Sequence, residues 1–214
     1  PLLQRDLRSI ADGTSDEPTL DITSANKFTG QNILKFPHFE GLDSAAMTIS
    51  FWITLDADST GTWRTIFHKG ASPNVRTATM MLRPNERRIE ASISTTRETV
   101  EALTTDHVLA LGVPTHIAFV LEGRTQRIYV NGILDAESTT EGDVIFNDGP
   151  FMIGKDLWHD GIEGTLQEFQ VFPRSLKEGE IMEFSDNVHV PSVFSFNADG
   201  KLNGKDYVIA PHDP

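Results

Sequence analysis

Short runs in which every second residue is apolar recur along the chain from Leu20 onward, and this period of two limits the fold more than any other feature. The longest run, residues 47–55, puts Met47, Phe51 and Leu55 on one side. Because side chains alternate between the two faces of a β-strand, such a run predicts a strand with one face in a core. Gly, Pro, Asn and Asp separate the runs, and turns favour these residues. The pattern therefore predicts an all-β fold.

Further strand-like runs follow one another at the spacing typical of a β-sandwich. Asn131-Gly132 favours a tight turn with positive φ, so it predicts a hairpin between the runs on either side. Residues 83–88 indicate a second, polar turn. Residues 173–184 have a helical pattern, with Ser175 as the candidate N-cap and Glu178 three residues later. The strand-like runs are residues 32–36, 65–69, 78–82, 88–93, 107–111, 116–121, 126–130, 133–136, 151–154 and 165–172.

The chain has 214 residues, enough for one all-β domain that buries roughly 70% of its unfolded surface. We expect a leader at residues 1–20 with one or two helical turns, the domain itself at residues 21–186, and an extension at residues 187–214. Residues 193–196 of that extension could add an edge strand. Because the chain does not begin with Met, we expect it to be a piece of a longer, multidomain protein.

Charge and residue types exclude several classes of function. The net charge is −13, and the basic stretch at residues 83–88 is diluted by Pro84 and Glu86, so nucleic acid is an unsuitable partner. No cysteine is present, which excludes disulfides, a thiolate nucleophile and cysteine-ligated zinc. No apolar run is long enough for membrane insertion, and no phosphate-binding loop or Gly-x-Ser-x-Gly elbow occurs. His68 and His116 lie in strand-like runs and are expected to be packed and hydrogen-bonded.

Four ordered segments resemble a laminin G-like domain of the concanavalin A-like lectin and glucanase superfamily. They are residues 47–55 (Met-Thr-Ile-Ser-Phe-Trp-Ile-Thr-Leu), 65–70 (Thr-Ile-Phe-His-Lys-Gly), 115–134 (with Arg-Ile-Tyr-Val-Asn-Gly) and 153–181 (with Gly-Thr-Leu-Gln-Glu-Phe-Gln-Val-Phe). The resemblance implies a jelly-roll sandwich of two antiparallel sheets. It also implies an extracellular or cell-surface location, although the absence of cysteines and glycosylation sequons leaves an intracellular one open.

A rim loop at residues 156–163 carries the residues that a sugar site uses. Trp158 can stack against the apolar face of a pyranose, while Asp156, His159 and Asp160 can hydrogen-bond its hydroxyl groups. Trp63 is a second candidate platform. The alternative is that these indole rings pack against the sandwich as ordinary lids.

The strand at residues 165–172 bears on catalysis and on metal binding. Glycosidases of this superfamily carry paired carboxylates, about 5 Å apart in a retaining enzyme, whereas Glu168 has Leu166 and Gln170 two positions away. We therefore assign no catalytic residue. Laminin G-like modules often bind calcium through an acidic residue on this strand, so the resemblance implies Glu168 as a ligand, with Asp43 and Glu40 as companions.

Three functions remain open at this level. The first is a non-catalytic module that recognises a glycan, with calcium organising one rim. The second is a protein-interaction or scaffolding module, which requires a broader apolar patch. The third is a glycosidase or lyase, which requires a second carboxylate close to Glu168.

Overall fold

The computed structural model describes residues 18–39 and 42–186, and strands are the main regular structure among them. One short helix follows the last strand within these residues. The elements are β1 (Leu20–Ile22), β2 (Asn26–Thr29), β3 (Leu34–Phe36), β4 (Ala46–Leu55), β5 (Arg64–Lys69), β6 (Thr77–Leu82), β7 (Ile89–Ile93), β8 (Glu101–Thr104), β9 (Thr115–Glu122), β10 (Thr125–Val130), β11 (Ile133–Thr139), β12 (Phe151–Ile153), β13 (Asp160–Gly161), β14 (Glu163–Phe172) and α1 (Glu178–Asp186).

The strands form two seven-stranded sheets. Sheet A has the order β1-β14-β4-β9-β10-β11, and β2 also pairs with β14. Sheet B has the order β3-β12-β5-β6-β7-β8, and the short β13 runs parallel to β5 beyond this order. The other pairings are antiparallel, which confirms the predicted jelly-roll sandwich.

The two sheets meet over a core built from the inward positions of the alternating runs. Phe51 of β4 stacks on Phe169 of β14, with ring centroids 5.2 Å apart. Phe67 and Phe151 of sheet B complete the aromatic centre, with centroids 5.8 Å apart. Burying each such side chain contributes about 1.5–3 kcal/mol relative to exposure, so these rings hold the two sheets face to face.

Helix α1 covers part of the outer face of sheet A. Phe172, Leu176 and Ile181 pack there against Ala118 and Val120 of β9. Other residues pack against both faces of β4 and β9, so the outward residues of these strands are also buried. Trp52, which the alternation places opposite Phe51, accordingly lies on this outer face against the ring of His116, 5.4 Å away.

The helix start differs from the prediction. Ser175 is not the N-cap, because its hydroxyl donates to the carbonyl of Leu121 while the helix begins at Glu178. Lys177 occupies the capping position, and its backbone N–H donates to the Glu180 carboxylate at 2.8 Å. Glu180 also forms an ion pair with Arg174. Its carboxylate therefore acts both as the acceptor of a capping box and as the partner of an arginine.

The segment at residues 107–111 was predicted as a strand and is a loop. Leu111 alone forms an isolated bridge, with Leu55. The Asp135 carboxylate accepts the backbone N–H groups of Asp106 and His107, at 2.7 and 3.2 Å, and the Leu109 N–H donates to the carbonyl of Arg87 at 2.9 Å. These donors are thus used outside a strand ladder. Strand β8, at residues 101–104, escaped prediction because its Glu-Ala-Leu-Thr sequence is short and polar.

The domain limits can be compared with the structure at one end only. Strand β1 begins at Leu20, one residue before the predicted domain start, whereas the residues after the predicted end at residue 186 are not among those described. Of the predicted leader at residues 1–20, only residues 18–20 are described, and the predicted extension at residues 187–214 with its edge strand lies outside the described residues. Within the described residues, no helix combines the length and apolar character needed to cross a membrane.

Candidate functional site

A shallow groove lies on the outer face of sheet B, and we call it the sheet B groove. Its larger part has a volume of about 620 Å³ and is lined by residues from three loops. A smaller depression of about 190 Å³ continues over strands β6 and β7 and shares Trp63 and His159 with the larger part. The lining residues are Gly61, Thr62, Trp63, Arg76, Met81, Pro84, Glu90, Ser92, Val100, Lys155, Leu157, Trp158, His159 and Asp160.

One wall of the groove is the loop at residues 155–160, which Asp156 organises from inside. Oδ1 of Asp156 accepts the backbone N–H groups of Trp158 and His159, at 2.8 and 2.6 Å. At the base of the loop, the Ile162 N–H donates to the Gly154 carbonyl at 3.1 Å. Gly154 has φ of +86° and faces the Phe28 ring, so no side chain fits there. The loop is therefore set in shape before any ligand binds.

The same carboxylate holds two imidazole rings. Oδ2 of Asp156 lies 3.0 Å from Nδ1 of His159 and 3.4 Å from Nδ1 of His68. Burial opposes ionisation of this carboxyl, but the hydrogen bonds from His68, His159 and the two backbone N–H groups outweigh it and lower its pKa. A side chain that is fully buried in the loop thus carries a negative charge at neutral pH.

His159 presents its second ring nitrogen to the groove. Since Nδ1 is directed at Asp156, the ring orientation is set, and Nε2 is the atom left for a ligand. None of residues 18–39 and 42–186 hydrogen-bonds this Nε2. The imidazole can therefore exchange a hydrogen bond with a hydroxyl or anionic group of a bound molecule.

The two indole rings of the groove differ in exposure. Trp158 is 37% exposed, and its ring centroid lies 5.1 Å from that of the buried His68. Trp63 is half-buried, and the guanidinium of Arg83 lies 5.8 Å from its ring centroid. Both rings therefore have one side supported by a protein group, which holds them for contact with a ligand on the other side.

Charged side chains along the groove are mostly paired. Lys155 lies 3.0 Å from Asp160, and Arg83 lies 2.8 Å from Glu90. The Lys155 ammonium, followed by Gln31, lowers the pKa of the exposed Asp160 carboxyl. A surface that is strongly acidic overall is thus locally balanced here.

The structure brings the predicted ligand-binding residues together. Trp63, Trp158, His159 and Asp160 line one groove, and Asp156 lies beneath it as the residue that shapes the loop. The prediction that His68 is packed and hydrogen-bonded is confirmed, because it is 1% exposed with Thr79 Oγ1 at 3.2 Å from Nδ1. Its role in holding Asp156 escaped sequence reasoning.

Two groove residues on the strands also escaped prediction. Arg76 precedes β6 and Glu90 lies on β7, about 60–80 positions from the Trp158 loop, and no local pattern links them to it. The available signal was the alternation of inward and outward positions along the strand. Glu90 and Ser92 occupy the outward positions of a run whose inward positions are apolar, and outward positions of a covered strand are candidates for a surface site.

Two of the three predicted calcium ligands, Glu168 and Asp43, lie within the described residues. Glu168 sits at a β-bulge of β14, with φ of +49°, where Glu168 and Phe169 together oppose Phe51. Asp43 lies 3.1 Å from Nε2 of His38. Glu40 lies outside the described residues. Among residues 18–39 and 42–186, no cluster of three acidic or histidine side chains is arranged to hold a metal.

The bulge also changes the surroundings of Glu168. In a regular strand Leu166 and Gln170 would share a face, but Leu166 is in the core and Gln170 is half-buried beside Asp21 of β1. The amide of Gln170 donates to that carboxylate at 3.4 Å. The acidic residue beside this part of β14 is thus Asp21 of β1, which pairs with Gln170.

Fold and groove together define a lectin-like β-sandwich. The chain belongs to the concanavalin A-like lectin/glucanases superfamily, because a laminin G family model with that description matches residues 28–182. This confirms the resemblance drawn from the strand motifs. No curated protein sequence is significantly similar to the chain.

Several solved structures share the fold at low sequence identity. Domain 4 of AbnA, an extracellular GH43 arabinanase from Geobacillus stearothermophilus solved with arabinotriose, is 20% identical with a TM-score of 0.61, over 78% of this chain and 80% of that one. A heptameric pentraxin from Limulus polyphemus is 16% identical with a TM-score of 0.56, over 76% and 82%. The binding domain of botulinum neurotoxin serotype D is 15% identical with a TM-score of 0.60, over 80% and 51%.

Proposed function

We propose that this domain recognises a glycan, without catalysing a reaction on it, through the sheet B groove. The observation that carries the proposal is the convergence of Trp63, Trp158 and His159 on one open groove. An open groove of this size can accommodate sugar rings. The fold supports the same class of ligand, since the AbnA domain was solved with arabinotriose.

Each part of the groove supplies one component of sugar recognition. The indole rings offer apolar faces to the C–H groups of a pyranose. His159 and the Lys155–Asp160 pair offer hydrogen-bonding groups for hydroxyls. Because Asp156 fixes the loop beforehand, little conformational entropy is lost on binding. An extracellular or cell-surface location would bring the groove into contact with such ligands.

Titration calorimetry against a panel of oligosaccharides tests the proposal. For the glycan that binds, we expect Trp158→Ala to weaken the affinity by about tenfold, since an aromatic contact contributes roughly 0.5–1.5 kcal/mol beyond the area it buries. Trp63→Ala should act in the same direction. The exposed position of Trp158 means that the fold should survive its replacement.

A matched control is Ile133→Ala, which removes an exposed apolar side chain far from the groove, in β11 of sheet A. It should leave glycan affinity unchanged. Full affinity in both tryptophan variants would remove the groove from the proposal. Absence of binding to every oligosaccharide of the panel would overturn glycan recognition itself.

A second candidate function is protein interaction, and exposed apolar side chains near α1 favour it. Ile133 is 67% exposed and Leu134 follows it at the start of β11. Met182 of α1 is close by, with its Cα 3.2 Å from the position of a Cβ on Gly132. Ile133→Asp should abolish association with a protein partner and leave glycan affinity intact, so one variant separates the two functions.

Calcium is proposed as an additional ligand, with the laminin G family membership as its support. Carboxylates and backbone carbonyls are the ligands that calcium prefers, and Glu168 with Asp43 and Glu40 are the candidates. The groove and the proposed ion belong to different parts of the molecule, because Glu168 is on sheet A. Glycan binding and calcium binding are therefore tested separately.

A further inference from the structure

One basic side chain in the sheet B groove has no carboxylate partner. Arg76 lines the smaller depression beside Glu90, Ser92 and His159. Within the described parts of the chain it forms no ion pair with any Asp or Glu, whereas the other basic side chains of the groove are paired. Among the described residues of the groove, its guanidinium is thus the basic group that no carboxylate contacts.

The carboxylates near Arg76 are engaged elsewhere. Glu90 accepts from Nη1 of Arg83 at 2.8 Å and from the hydroxyl of Thr104 at 3.3 Å. Asp156 accepts from two imidazole rings and two backbone N–H groups. Both exert an attraction on Arg76, but neither is in contact with its guanidinium.

The guanidinium is held in place and still has donors to offer. Nε of Arg76 donates to the carbonyl of Pro73 at 2.9 Å, Nη2 donates to the same carbonyl, and Nη1 contacts the Ser92 hydroxyl at 3.3 Å. These contacts use one N–H of each nitrogen. One further N–H on each Nη atom has no acceptor among residues 18–39 and 42–186. The guanidinium thus keeps two N–H donors that it can offer to a carboxylate or a sulfate.

Burial makes an anionic partner favourable at this point. Burial lowers the pKa of the Arg76 guanidinium, while the attraction of Asp156 and Glu90 raises it. An arginine nevertheless stays charged, so a partly desolvated guanidinium gains from a counter-ion that reaches it. The net charge of −13 repels anions in general, so an anion that binds here must be recognised locally.

We infer that the groove selects a glycan bearing an anionic group, either the carboxylate of a uronic acid or a sulfate ester, and that Arg76 binds this group. The inference rests on the proposed glycan recognition and specifies its ligand class. Ser92 and Nε2 of His159 lie on the same depression and can supply further hydrogen bonds to the anion. Trp63, which lines both parts of the groove, then contacts the sugar ring.

The test measures affinities for matched oligosaccharides by titration calorimetry at constant ionic strength. An oligogalacturonide is compared with its methyl ester, which has the same sugars without the charge, and a sulfated oligosaccharide of similar length is compared with its desulfated form. We expect the preferred acidic ligand to bind at least about tenfold more tightly than its uncharged counterpart. The carboxylated and sulfated arms distinguish the two sources of the anion.

Variants then assign the preference to Arg76. Arg76→Gln should remove the acidic preference and leave the weaker affinity for the uncharged ligand unchanged. Arg76→Lys keeps the charge without the planar fork and should retain part of the preference. Arg124→Gln, an exposed arginine on the hairpin of sheet A, is the charge-matched control and should change nothing.

The outcomes are distinguishable. Equal affinity for charged and uncharged ligands, with the affinity still weakened in Trp158→Ala, overturns the role of Arg76 and leaves the proposed function standing. An acidic preference that survives Arg76→Gln, or that falls equally in Arg124→Gln, also overturns it, since the attraction is then not local. Failure of every oligosaccharide to bind overturns both the inference and the proposed function.

Discussion

Single side chains in this protein combine burial with a defined electrostatic role. Asp156 is the main example, because one carboxylate closes a six-residue loop and orients two histidines. Buried polar groups are costly unless they are hydrogen-bonded, and here the bonds serve the loop that forms the groove wall. If these hydrogen bonds were lost, the buried carboxylate of Asp156 would be left without partners, so they hold the loop in its shape.

His116 makes the stability of the protein depend on pH. Burial lowers the pKa of this imidazole to about 4, and its Nε2 lies 2.9 Å from the hydroxyl of Ser50. In the unfolded chain the pKa of histidine is about 6.5, so the unfolded state takes up a proton first as the pH falls. The contribution of the neutral ring is present above pH ~6.5 and is lost as the pH falls to about 4, by roughly 3 kcal/mol.

Chemical denaturation at several pH values between 4 and 7.5 measures this loss. In His116→Gln the free energy of unfolding should be lower at neutral pH and should fall less steeply on acidification. His107→Gln, which replaces an exposed histidine, serves as the control and should follow the wild-type curve. Parallel curves for the wild type and His116→Gln would show that His116 is not the group that titrates.

At the scale of elements, the strand pattern was largely readable from the sequence. Long alternating runs such as residues 47–55 and 165–172 became β4 and β14, because their inward apolar residues pack in the core. The Asn131-Gly132 turn was also predicted, and both residues have positive φ. Residues 107–111 also alternate but form a loop, in which the N–H groups of His107 and Leu109 bond to Asp135 and Arg87, residues distant in sequence.

The start of α1 depends on one acidic side chain. Glu180 accepts the backbone N–H of Lys177 and binds Arg174, whose hydrogen bond is the main cause of the lowered pKa of this carboxyl. We expect Glu180→Ala to lower the free energy of unfolding by about 1 kcal/mol, the usual contribution of a helix cap. Glu183→Ala, an exposed position of the same helix, should have little effect. Equal losses in the two variants, measured by urea denaturation, would argue against a capping role.

For the whole molecule, the calcium proposal makes a direct thermal prediction. An ion that binds only the folded state raises the midpoint of unfolding. We therefore expect the midpoint to fall after chelation and to return when calcium is added, and Glu168→Ala should abolish this response. Glu183→Ala is the control, since it removes an exposed carboxylate outside the proposed ligand set. A midpoint that does not respond to chelation or calcium would contradict the proposal that this protein binds calcium.

The alternation of apolar residues by itself determined the fold class, the strands that build the core and the position of the principal hairpin. These features depend on neighbours two positions apart or on a local turn, so they can be read along the chain. The sequence also singled out Trp63, Asp156, Trp158, His159 and Asp160 as a set of ligand-binding candidates, because their residue types match sugar chemistry.

Only the tertiary structure decided which side chains share a surface. Trp63 and Trp158 are far apart in sequence, and they meet because β13 lies parallel to β5 and returns the second loop beside the first. Arg76 and Glu90 join them through the pairing of β6 with β7. The bulge at Glu168 depends on the register of β14 against β4. Strand order and register bring together residues that are far apart in sequence, and no local pattern along the chain predicts such contacts.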